Sequence, residues 1–271
     1  MRLLDFDLSP VVATLSVRAV AEAAPSWFSS VHLGYVLGVE VGSYQTSVNG
    51  ERVDLLERDS EFARLVRAAE AQPIDRLWAA AHKLQRGPWQ PDASPSEAYL
   101  GYLVLDGLVG RRVVVPDRGR SLELLGRGDI FSPWQEDSPS FSQVAWTVIE
   151  PSSIAALDEA FTSQVRHYPE LLEALTERAL SRSRRIAVSA AIANTVGVEE
   201  RLLLLLWQLT ELWGRKAKGG AVLPFRLSHQ TLADLVGARR PTVTLALRGL
   251  TDRGLLERGS SGEWILSGDP P

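Results

Sequence analysis

The chain has 271 residues, 45% of them apolar, which suffices for one or two packed domains. It contains no cysteine, so disulfides, thiolate zinc sites, iron–sulfur clusters and a cysteine nucleophile are excluded. The formal charge of −4 is unevenly spread: residues 214–258 hold nine Lys/Arg against three Asp/Glu, which leaves twenty bases and thirty acids elsewhere. An acidic chain with one basic end concentrates its anion-binding surface there. No apolar run approaches the ~18–20 residues of a membrane span. Asp5 follows Met1 too closely for a secretory signal, so the chain reads as cytoplasmic and not bound to a membrane.

Residues 1–50 carry two bases and four acids and mix apolar stretches with Pro, Ser and Gly. They are either an added N-terminal element or upstream sequence read from an early start codon. Residues 53–57 read as an opening strand. Residues 61–70 have helical spacing at Phe62, Leu65 and Val66, and residues 74–84 form a second helix-like stretch. Residues 85–89 break it, and 91–96 read as loop. Residues 99–149 supply several short runs rich in β-branched and aromatic residues between turn signals, which implies a β-barrel or sandwich. Within them, 103–109 is an apolar strand that meets a tight turn before 111–115. Residues 122–131 form a strand, a turn at Gly126-Arg127-Gly128-Asp129 and a strand, and 144–149 alternate as another strand. Trp89, Trp134 and Trp146 either belong to the barrel core or line an apolar effector pocket.

From Pro169 to residue 194 the pattern is one long helix, with the proline in its first turn. Leu171, Leu175, Ala179, Ile186, Ala190 and Ala193 recur at three- and four-residue steps, interrupted by Arg182 and Ser183. Such a stripe either packs on its own domain or meets its copy in a second chain. Residues 198–213, with the run LLLLLW, predict a further buried helix.

Residues 227–266 carry the clearest pattern. Ser228 can cap a helix over 229–236 whose inner face is Leu232, Leu235 and Val236, and Gly237 supplies the positive φ that ends it. A second helix starts near Arg239 or Arg240, with Pro241 tolerated in its first turn. Val243, Leu247 and Leu250 mark its buried stripe. The opposite face holds Pro241, Leu245 and Arg248, flanked by Thr242 and Thr244. Leu245 either points outward, where it can pack on a thymine methyl, or belongs to the core if the helical phase slips by one residue. Gly254 stops the helix, and apolar runs on both sides of residues 259–262 predict a hairpin. Helix, turn, helix and wing form a device for reading duplex DNA, with the second helix in the major groove. Arg239 and Arg240 can pair with phosphate or bidentately with guanine, and Arg258 can reach a phosphate.

Two other functions remain to be weighed. His32, His82, His167 and His229 are scattered without metal-ligand spacing, and no Gly-x-Ser-x-Gly elbow occurs, so neither a metal nor a barrel enzyme is expected. An adaptor that uses the same helices for protein contacts would lack the steep salt dependence that phosphate neutralisation gives.

Ser228, the run Leu232-Ala233-Asp234-Leu235-Val236-Gly237, then Arg240, Thr242-Val243, Ala246-Leu247, Leu250 and Gly254-Leu255-Leu256 resemble the winged helix of the Crp–Fnr family of bacterial transcription factors. More weakly, residues 103–115, 122–131 and 144–149 resemble strands of that family's sensor barrel. The resemblance covers roughly residues 53–267. It implies an α+β fold: an N-terminal β-barrel (a cyclic-nucleotide-binding-like jelly roll), a long dimerisation helix and a C-terminal winged helix-turn-helix. The corresponding divisions are an extension of unknown role at 1–52, the sensor barrel at 53–167, the dimerisation helix at 168–196 and the DNA-binding domain at 197–271.

The same resemblance implies a homodimeric, sequence-specific transcriptional regulator that is not an enzyme. Its partners would be double-stranded DNA, a second copy through the 169–194 stripe, RNA polymerase and an unidentified small-molecule effector, unless the barrel is an empty scaffold. Arg239 and Arg240 anchor the reading helix, Thr242, Thr244 and Leu245 fit the groove, and Ser228, Gln230, Arg248 and Arg258 hold backbone phosphates. The family's usual glutamate falls at Pro241 and its second arginine at Leu245, so its typical operator half-site is not carried over. With no cysteine, the family's oxygen-sensing chemistry is absent. Its cyclic-AMP sensors use an arginine for the cyclic phosphate, yet no arginine occurs between Arg127 and Arg166, and Pro133 interrupts the corresponding cradle. A buried phosphate without a cation is unfavourable, so no cyclic-nucleotide cofactor is expected.

Overall fold

The computed structural model describes residues 50–69, 74–91, 99–117, 119–133 and 141–271. Nearly all of the N-terminal extension, most of the 91–96 loop, and Trp134 lie outside the described residues.

The first part of the chain builds one antiparallel sheet. Its strands are β1 (Glu51–Asp54), β2 (Trp78–Leu84), β3 (Gly87–Trp89), β4 (Gly101–Val115), β5 (Gly119–Gly126), β6 (Ile130–Phe131) and β7 (Gln143–Leu157). The order is β1-β2-β7-β4-β5, with β3 also on β7 and β6 also on β4. The sheet is jelly-roll-like but open, because β1 and β5 stand at its two ends rather than closing a barrel. Two short helices, α1 (Leu55–Arg58) and α2 (Ser60–Ala68), follow β1. Asp54 and Asp59 cap them through side-chain bonds from Leu56 N and from Glu61 N and Phe62 N.

Two sequence expectations are corrected here. Residues 78–84 are a strand, not a helix. The spacing over 74–84 suits a helix, but pairing with β1 on one side and β7 on the other overrides it. The apolar run at 103–109 does not turn. It continues as one 15-residue strand, kinked by register shifts around Asp106 and Leu108. Gly107, at φ +85°, allows this, since a Cβ there would sit 2.3 Å from the Pro151 carbonyl oxygen. Ser152 ties the bulge, accepting from Leu108 N at 2.9 Å and donating to Glu150 O at 2.7 Å.

Trp89 and Trp146 are packed as core. They are neighbours across β3 and β7, Phe131 stacks on Trp146 at 4.9 Å, and Tyr102 completes the cluster. Helix α3 (Glu159–Val165) leads into α4 (Pro169–Ala193), the predicted long helix. Three arginines on one side of α4 hold it to the sheet and to α2. Arg178 bonds Asp59 (2.7 Å) and Glu61 (2.6 Å), Arg182 forks onto Glu123 (2.6 and 2.8 Å), and Arg185 donates to Asp129. Leu171 and Leu175 are buried beside Phe62, Leu157 and Phe161, so they are core residues of their own subunit and not seam residues. Ala179, Ile186 and Ala190 are exposed and Ala193 half-buried.

Helix α5 (Val198–Trp213) matches the predicted span and opens the C-terminal part. It is followed by β8 (Arg215–Ala217), β9 (Gly220–Leu223), α6 (His229–Leu235), α7 (Arg240–Asp252), β10 (Leu256–Arg258) and β11 (Trp264–Ser267). The last two form the predicted hairpin, extended by β9 and β8 into a four-stranded sheet. Leu202, Leu206, Leu232, Val243, Leu250 and Trp264 form its core, which Leu122 and Leu124 of β5 join from the other sheet. No helix among the described residues is long and apolar enough to cross a membrane.

Candidate nucleic-acid interface

The surface is built on α6, the turn after it, and α7. Ser228 caps α6, its hydroxyl oxygen accepting from Thr231 N at 3.0 Å. Gly237, at φ +62°, makes the turn, and its neighbour Ala238 donates from its amide to Ala233 O at 3.0 Å. In α7 the buried residues are Val243, Ala246, Leu247 and Leu250. Pro241, Thr242, Thr244, Leu245 and Arg248 all lie on the exposed face. The helical phase is therefore the predicted one, and Leu245 is 70% exposed. Leu245 thus presents its isobutyl group to solvent on the same face as Thr244 and Arg248.

Arg239 and Arg240 stand exposed where α7 begins, and among the described residues neither forms an ion pair. Arg248 lies 3.9 Å from Asp252 one turn on, with both side chains in solvent, a contact of little energetic weight. Arg258 on the wing lays its guanidinium over the Trp264 ring at 4.3 Å and donates from it to Leu227 O at 3.4 Å, while the residue remains exposed. Thr244 donates its hydroxyl to Arg240 O at 3.1 Å and also meets His229 Nδ1 at 2.9 Å.

Gln230 departs from the rest. Its amide donates to Asp234 Oδ1 at 2.8 Å, so it turns along α6 instead of outward. Asp234 is the residue that sequence reasoning missed. It is buried, and it accepts from Arg120 at 2.7 Å and Arg112 at 3.0 Å, both from the upstream sheet. One carboxylate thus clamps the reading head to β4 and β5. Glu150 adds a second tie by accepting from Arg226 N at 2.8 Å. A third is steric: Trp213 lies so close to Gly126 that a Cβ there would come within 2.5 Å of its ring. An acid inside an otherwise basic stretch was the only sequence signal for Asp234. His229 was missed as well, having been read as the first residue of the helix and as one of four scattered histidines without metal-ligand spacing.

The Crp-like helix-turn-helix domain family matches residues 200–269. The CRP-like cAMP-activated global transcriptional regulator of Mycobacterium tuberculosis is 30% identical over 172 residues, spanning 62% of this chain and 75% of that protein. The chain belongs to the Crp–Fnr family of transcriptional regulators. Solved structures agree on the fold. A CooA variant from Carboxydothermus hydrogenoformans matches with a TM-score of 0.55 at 19% identity, over 82% of this chain and 95% of that one. FixK2 from Bradyrhizobium japonicum matches with a TM-score of 0.54 at 18% identity, over 69% and 92%. The regulator is accordingly a DNA-binding protein of transcription and not an enzyme, and the helix-turn-helix described above is the family's DNA-binding element.

Proposed function

We propose that the regulator reads its operator as a homodimer, with α7 of each copy in the major groove. Arg239 and Arg240 anchor the helix, Thr242, Thr244 and Leu245 fit the groove, and Ser228, Arg248 and Arg258 meet backbone phosphates. Gln230 joins them once it leaves Asp234. The single observation that carries this is the exposed Arg240–Arg248 face of α7, with its apolar face wholly buried behind it. Arg240→Ala is expected to abolish specific operator binding while sedimentation still shows a dimer. Full affinity in that variant would overturn the assignment.

The second copy docks along α4. Arg178, Arg182 and Arg185 are spent on the upstream sheet and α2, Arg184 pairs with Glu177 on α4 itself, and the helix also exposes Leu172, Leu180, Ile186 and Val188 among small residues such as Ala179, Ala187 and Ala190. This is a long apolar face of the kind that pairs helices. Two reading helices held about 34 Å apart can then read half-sites one turn apart. The functional divisions are those drawn from the sequence: extension to residue 52, sensor 53–167, dimerisation helix 168–196 and reader 197–271.

The regulator does not respond to cyclic AMP. Trp89, Tyr102, Phe131 and Trp146 fill the interior of the sheet, and no arginine lies between residues 127 and 166 to meet a cyclic phosphate. Isothermal calorimetry is expected to show no cyclic-AMP binding, and micromolar affinity would overturn this. RNA polymerase and an effector of another class are the remaining partners of this reading.

A further inference from the structure

His229, half-buried at the start of α6, stands apart in the reader because its ring meets Thr244 on the exposed face of α7. Thr244 Oγ1 gives its one hydrogen to Arg240 O. With that hydrogen on Arg240 O, the Thr244 oxygen accepts from the imidazole, an arrangement that puts the proton of the neutral ring on Nδ1. The neutral ring then turns the lone pair of Nε2 away from Thr244. A phosphate oxygen is acceptor-only, so it is repelled by that lone pair and attracted by an N–H in the same place. The charged groups that act on the ring are both cations, Arg258 on the wing strand β10 and Arg240 at the start of α7. Asp234, the carboxylate of the same helix, is engaged with Arg112, Arg120 and Gln230.

We propose that His229 is a proton-linked phosphate contact: the regulator takes up one proton per half-site when duplex DNA closes over Arg240, Arg258 and His229. In the free chain, partial burial lowers the imidazole below its ordinary value, and the two arginines push the same way, so the ring is neutral at pH 7. Backbone phosphates neutralise those arginines and add negative charge beside Nε2, which raises the bound-state value. The sign follows from linkage. Above both values the ring is neutral free and bound, and affinity does not vary with pH through this group. As pH falls from the bound value toward the free one, each unit strengthens binding by at most about tenfold per half-site, and below the free value the gain is complete. The inference rests on the DNA-facing reading of α7, because only a ligand lying on that face brings phosphate to the ring.

The test uses the full chain and a labelled duplex recovered by selection from a random-sequence library. Affinity is measured by fluorescence anisotropy at constant salt from about pH 5 to 8, the window in which imidazole titrates. Calorimetry at a single pH in buffers of differing ionisation enthalpy counts the protons taken up. The wild type is expected to bind several-fold more tightly at the acid end. His229→Gln should be level across the range and buffer-independent, and His229→Arg should be level as well, because its charge is permanent. Circular dichroism of both variants establishes that they are folded. A wild type without pH dependence, or a His229→Gln variant that keeps it, overturns the proposal. If wild type and His229→Arg, both folded, bind no duplex at any pH, the reading of the interface falls and takes this inference with it.

Discussion

Leu245 presents an exposed isobutyl group on the face of α7 opposite Val243, Leu247 and Leu250. In the major groove the apolar feature available to it is the 5-methyl group of thymine. Each thymine of the selected half-site is replaced in turn by deoxyuridine, which deletes that methyl and leaves the base's hydrogen-bonding edges unchanged. Burying one methyl contributes about 0.8 kcal/mol, so one replacement is expected to weaken binding roughly fourfold while the others do little. In a Leu245→Ala chain that sensitivity should vanish, because truncation removes the surface that covers the methyl. The coupling in this two-by-two cycle is expected to equal about the same 0.8 kcal/mol. Anisotropy titrations at fixed salt provide the four affinities. If every deoxyuridine duplex binds like its parent, or if the Leu245→Ala chain keeps the fourfold loss, the leucine does not read thymine.

Other consequences are measurable on the protein alone. Asp234→Ala removes the carboxylate that Arg112 and Arg120 share, and losing one partner of a largely buried pair costs about 3–5 kcal/mol; calorimetric melting at an unchanged temperature would refute the clamp. Leu171→Ala should cost roughly 2–5 kcal/mol of stability without weakening self-association, whereas Ile186→Glu should lower the association constant in sedimentation with little change in melting; the reverse pattern would misassign α4. Burial raises the Asp129 carboxyl above the ordinary carboxylate range, partly offset by its bond from Arg185. A raised value means the folded chain holds this proton more tightly than the unfolded one, so this group's contribution to stability falls as pH rises through the interval between the two values. Carboxyl-detected NMR should place its midpoint above about 3.9, and a midpoint at or below that refutes the burial argument.

The reader was legible because its signals are local. A cap at Ser228, a positive-φ glycine at Gly237 and a stripe at Val243, Leu247 and Leu250 each act within one or two turns of chain. The sensor was less so. The spacing over 74–84 also suits a helix, and only pairing with β1 and the distant β7 makes β2 a strand. Asp234 was invisible for the same reason: its partners are more than a hundred residues upstream. The α4 stripe was misread in part, since spacing alone cannot tell a face that packs on α2 and α3, as Leu171 and Leu175 do, from one left open as at Ile186 and Ala190.

The contact between Gly126 and Trp213 leaves no slack. Any side chain at position 126 would collide with the Trp213 ring, so the turn and the tail of α5 can lie this close only while that position stays glycine. Asp129 braces that loop through the Gly126 amide and is itself gripped by Arg185. The 126–129 turn is thus held to α4 by one carboxylate and seated against the end of α5 through one glycine.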